Sequence, residues 1–67
     1  MKIEELRKAK KITRKALGDA CNVTLNTVYR YERMGRVPDA ITAVKLARAL
    51  DCRVEDLFTE EDLRMAN

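Results

Sequence analysis

Three capping residues fix most of what this chain can become. Thr13, Thr24 and Asp39 each stand just ahead of a stretch whose apolar residues recur three and four apart. An oxygen at such a position accepts one of the backbone N–H groups that a helix start leaves unpaired. The spacing lines apolar side chains along one stripe of the helix that follows. Helices this short are marginal alone, so they must pack on one another. Ile3, Leu6, Ala9 and Ile12 predict a first helix over 2–10. Ala16, Leu17, Ala20 and Cys21 make the stripe of a second, which should stop at Asn22, a residue that tolerates the left-handed conformation of a helix end. A third runs from Thr24 to Arg33, and Met34-Gly35-Arg36-Val37-Pro38 then reads as a loop. Ala40, Ala43, Leu46, Ala47 and Leu50 give a fourth helix its inner face. Val54, Leu57 and Phe58 fit a brief fifth after the turn at 51–53. The fold class is all-α, one domain over 1–58 with a short C-terminal tail of 59–67, where Thr59-Glu60-Glu61-Asp62 can start one more turn.

Size and composition exclude several functions. A domain of 67 residues buries only about 60% of its unfolded surface and has no room for a cleft between domains. There is no His, Ser or Trp and no Gly-rich phosphate loop, and the acids are scattered, so an enzyme is not expected. Two distant thiols, Cys21 and Cys52, cannot complete a four-ligand zinc site. They could pair in a secreted chain, but buried reduced thiols fit better here. Neither a metal, a cofactor nor a small-molecule ligand is expected. No apolar run approaches the roughly 20 residues that span a bilayer. Met1-Lys2-Ile3-Glu4-Glu5 is no secretory leader, so the expected location is cytoplasmic, with no membrane partner.

The net charge of +3 hides an asymmetry. Residues 1–36 carry ten Lys/Arg against four acids, and residues 37–67 carry four against seven. A basic half and an acidic half suggest one face turned to a polyanion, although charge alone also fits a solvated surface.

Residues 14–33 have the layout of two helices crossing through a tight turn. Leu17, Cys21, Val23, Val28 and Tyr31 can fill the crossing. Gly18 stands where the two backbones would come closest. In mid-helix it costs about 1 kcal/mol relative to Ala, which points to a packing reason. This arrangement resembles the helix-turn-helix of the phage repressor and Cro-like family, the XRE family. The resemblance runs from Ile3 to Phe58 through Ile3-Glu4-Glu5-Leu6-Arg7, Ile12-Thr13-Arg14-Lys15-Ala16-Leu17-Gly18, Asn22 to Arg33, Pro38, Leu46-Ala47-Arg48-Ala49-Leu50 and Val54-Glu55-Asp56-Leu57-Phe58. Each piece is weak and the ordered set is specific. The family usually has Gln at Arg14, a small residue such as Ala at Gly18, and Gly at Asn22. The resemblance implies a compact five-helix, lambda-repressor-like DNA-binding domain. It also implies a transcriptional regulator, a repressor, acting as a homodimer on a pseudo-palindromic double-stranded DNA operator.

On a helical wheel, Leu25, Asn26, Tyr29, Arg30 and Arg33 share an arc of about 140°, with Val28 and Tyr31 opposite. The arc holds no acid. Asn bonds adenine edges, Arg bonds guanine edges, and Leu or Tyr packs on thymine methyls. Leu25, Asn26, Tyr29 and Arg30 are therefore the expected base readers. Arg14, Lys15, Thr24, Arg33 and Arg36 are the expected phosphate contacts, which set register without reading sequence. The resemblance further implies a partly buried ion pair between Arg7 and Glu32; the alternative is two independent surface charges. Phe58, Leu63 and Met65 are candidates for a dimer surface, unless Phe58 closes the core and the tail frays. A second reading of the whole is an antitoxin-like or other protein-interaction module, for which only residues 59–67 are spare.

Overall fold

In the computed structural model, which describes residues 1–65 (the side chain of residue 65 excepted), each of the three caps is engaged. Thr13 Oγ accepts from the Ala16 N–H at 3.1 Å and opens α2, Arg14–Cys21. Thr24 Oγ accepts from the Thr27 N–H at 3.1 Å and opens α3, Leu25–Arg33. Asp39 Oδ1 accepts from the Thr42 N–H at 2.7 Å and opens α4, Ala40–Ala49. Ahead of them lies α1, Ile3–Ala9, which has no side-chain cap. The chain is all-helical over the described residues.

One element differs in kind from the sequence reading, and one runs longer than it. The fifth segment, Val54–Leu57, is a 3-10 helix, four residues long, as such short connectors often are. The turn expected to start at Thr59-Glu60-Glu61-Asp62 is present and extends into α5, Glu60–Met65, set up by a reciprocal capping box. The Thr59 N–H donates to Asp62 Oδ2 at 2.9 Å, and the Asp62 N–H donates to Thr59 Oγ at 3.0 Å. The Met1 ammonium lies 3.1 Å from the same carboxylate and ties α5 to the start of α1.

The core is formed by Ile3, Leu17, Cys21, Val28, Tyr31, Ala43, Leu46, Ala47, Leu50 and Leu57. Each large aliphatic here contributes about 1.5–3 kcal/mol by leaving water. Leu6, Ile12, Val23, Cys52 and Phe58 pack against this cluster from its edge. Ala9, Ala16, Ala20 and Ala40, placed on inner stripes by their spacing, are exposed. Alanine has too little apolar surface to decide which way a helix rolls, and the larger neighbours decide it. Both cysteines are free thiols. Burial pushes the pKa of both thiols up, so they hold their protons and are poor nucleophiles.

α2 sits between α3 and α4. Its crossing with α3 needs Gly18: a Cβ there would lie 2.7 Å from the Val23 carbonyl oxygen. Asn22 ends α2 at φ 58°, ψ 41°, the left-handed region. Lys11 and Asp51 end the turns after α1 and α4 in the same conformation, which spacing alone did not reveal.

Candidate nucleic-acid interface

α3 has two faces of opposite character. Val28 and Tyr31 are buried, whereas Leu25 is 48% and Tyr29 44% exposed. Asn26 and Arg30 are exposed beside them. Leu25 and Tyr29, one helical turn apart, therefore present apolar atoms side by side to water. The first turns of α2 and α3 hold no acid, while those of α1 and α5 do. Helix starts without a carboxylate keep the partial positive charge of their free N–H groups for an outside anion.

The back of α3 is held by ion pairs. Glu32, whose side chain is fully buried, receives the Arg7 Nε at 2.7 Å on one carboxylate oxygen and the Arg14 Nε at 2.8 Å on the other. Arg7 also donates to the Ile12 carbonyl at 2.8 Å. Glu4, on α1, accepts from Arg33 at 2.8 Å and lies 3.5 Å from a terminal nitrogen of Arg14. Arg7, Glu32, Arg14, Glu4 and Arg33 thus make one chain of charge across three helices. No buried side-chain polar atom lacks a partner among the described residues. The hydrogen bond to Glu32, against the cost of burial, holds Arg14 all the more firmly charged.

The five expected phosphate ligands are not equally free. Arg14 and Arg33 are engaged by carboxylates in this network. Lys15 pairs with Asp19 at 3.1 Å, but both are well exposed and such a pair yields easily. Thr24 caps α3 and shares its hydroxyl with Thr27 at 2.9 Å. Arg36, like Arg30, has no carboxylate within ion-pair distance among the described residues. Sequence reasoning missed Glu4, because a carboxylate in a first helical turn reads as a dipole partner and only the packing of α1 on α3 brings it to Arg33. It also missed that the Arg14 guanidinium stands 5.3 Å from the centre of the Tyr29 ring.

Two short capped helices crossing at a glycine, the second with one face free, define a helix-turn-helix domain. The helix-turn-helix family model matches residues 3–57. An uncharacterized HTH-type transcriptional regulator, YgzD of Bacillus subtilis (strain 168), is 33% identical over 61 residues, covering 91% of this chain and 92% of that protein. No solved structure gives a significant match. The chain belongs to the XRE-type helix-turn-helix family, a family of DNA-binding transcription regulators.

Proposed function

We propose that this chain is a sequence-specific repressor of transcription that lays α3 in the major groove of double-stranded DNA. The observation that carries the reading is the exposed, acid-free arc of Leu25, Asn26, Tyr29 and Arg30 on a helix whose other face is locked in the core. Asn26 and Arg30 supply bidentate hydrogen bonds to base edges, and Leu25 and Tyr29 supply contacts to thymine methyls. Lys15, Arg36 and the Thr24 cap supply phosphate contacts. Arg33 does so only where a phosphate displaces the carboxylate already bonded to it. The domain acts in the cytoplasm as a homodimer, its two recognition helices one helical turn apart, about 34 Å, on a pseudo-palindrome.

Selection from random duplexes tests this. Asn26→Ala or Arg30→Ala should each cost about 1–3 kcal/mol at the selected site and relax preference at one base position. Variants that retain the wild-type preference would show that α3 does not read bases through this arc.

A second reading has its own support. Val37, Ile41 and Val44 on and before α4 are 62%, 70% and 39% exposed. That surface suits a protein partner, as an antitoxin-like module requires. It also suits a second copy of this chain, so it sits comfortably within the first reading.

A further inference from the structure

Arg14 is where this chain departs from the glutamine usual in its family, and the structure gives it three neighbours at once. Its Nε donates to Glu32 Oε1 at 2.8 Å, a terminal nitrogen lies 3.5 Å from Glu4 Oε2, and its guanidinium carbon is 5.3 Å from the Tyr29 ring centre. The carboxylates come from different helices, α3 and α1, so the hydrogen bond to Glu32 sets the direction of the guanidinium and Glu4 lends it a second opposite charge. Glu32 is a firm anchor: its side chain is fully buried and Arg7 holds its other oxygen. Within cation–π range of the guanidinium is Tyr29, half-exposed on the arc proposed to read bases. A phosphate approaching Arg14 would have to compete with both carboxylates, whereas the Tyr29 ring already lies within cation–π range of its guanidinium.

We propose that Arg14 is a positioning residue that holds the Tyr29 ring in its reading orientation, and that it is not a phosphate ligand. The proposal rests on the reading of α3 as the recognition helix. An exposed tyrosine exchanges freely between rotamers. A cation–π contact of this kind biases such an equilibrium by about two- to five-fold. Lysine keeps the charge but lacks the planar fork, so it does not replace arginine here.

Arg14→Lys and Arg14→Gln are compared with the wild type in random-duplex selection and in affinity measured against salt. Arg14→Lys should lower preference at one base position by about two- to five-fold. Preferences lost with Asn26→Ala and Arg30→Ala should stay intact, and both Arg14 variants should keep the wild-type salt slope. In a Tyr29→Ala background, Arg14→Lys should change base preference no further. A phosphate ligand behaves otherwise: Arg14→Gln would reduce the log–log slope by about 0.9 and leave base preference alone. That result overturns the proposal, as does an Arg14→Lys variant with unaltered preference. A wild type that selects no sequence overturns the recognition-helix reading, and the proposal with it. In the free protein, the Arg14 side-chain protons should be shifted upfield by the ring in an NMR spectrum, and Tyr29→Ala should abolish the shift. A wild type without that shift removes the stacking on which the proposal depends, whatever the DNA experiments show.

Discussion

Glu32 is the buried centre of the ion-pair network, its side chain wholly out of water. Two arginines from two helices spend their Nε donors on its two oxygens, 2.7 and 2.8 Å away. Such a cluster adds little net stability against an apolar replacement, because desolvation offsets the attraction. Losing one member is another matter. Glu32→Ala leaves Arg7, only 8% exposed, with a charge and no counterion. The expected loss is about 3–5 kcal/mol, a large fraction of what a domain this small possesses. Thermal denaturation should show a melting point lowered by at least 10 °C or so; an unchanged value would mean water replaces the carboxylate without penalty. The Arg7 and Glu32 pairing was legible through the family pattern. Arg14 and Arg33 were read as facing outward, because charge type and helix position do not say which guanidiniums a neighbouring helix will recruit. That depends on where α1 brings Glu4, a contact 29 residues away from Arg33 in sequence.

At the scale of the element, caps and crossings set the stability. Gly18→Ala poses a contest of two effects. Propensity alone predicts a gain of about 1 kcal/mol in a helix interior. A Cβ 2.7 Å from a backbone carbonyl forces α2 and the Val23 turn apart, and backbone cannot rotate away. The clash should win, so chemical denaturation should find the variant less stable than wild type; greater stability would show that the crossing is slack. The caps give a pH prediction. The Thr42 N–H bond holds the Asp39 carboxyl below its ordinary value of 3.8, and the Thr59 N–H bond does the same for Asp62. The folded form therefore favours both ionised carboxylates. Their contribution is whole above 3.8 and is lost as pH falls through the lowered folded values. A melting point followed from pH 6 downward should drop in that acid range, and Asp39→Asn should flatten part of the drop. Helix starts were readable because capping is local chemistry. The α5 helix was less so, since Thr59 and Asp62 form its box while the Met1 ammonium, from the far end of the described chain, helps secure it.

The domain measures 30 × 20 × 20 Å, comparable with one helical turn of DNA, about 34 Å, so in the proposed homodimer each copy would cover one half-site. Dimerisation on a palindrome needs an apolar surface away from α3. Phe58 packs against the core, which leaves Leu63, 53% exposed, as the described side chain of the expected tail surface. Met65 lies outside the described side chains. α4 offers more, with Ile41 and Val44 on one side and Val37 just before it. Ile41→Glu should weaken self-association and cooperative binding to a palindrome while leaving the fold intact, because Ile41 is already 70% exposed. Leu63→Glu is the comparison, and sedimentation equilibrium reads both. A protein that stays monomeric at high micromolar concentration and binds without cooperativity would remove the homodimer.

The two-faced construction of α3 bears on how such a chain changes over generations. Val28, Tyr31 and Glu32 anchor the helix from behind, and Leu25, Asn26 and Arg30 take no part in that anchoring. Substitutions at those three exposed positions remove none of these anchors, so a drift in the sequence recognised need not pass through a badly destabilised ancestor. Tyr29 is the exception. Its ring rests on Arg14, which is bonded to Glu32, so a change there disturbs a partner that also braces the fold. Three of the four positions proposed to read bases can wander independently, and the fourth is tied to the history of the scaffold.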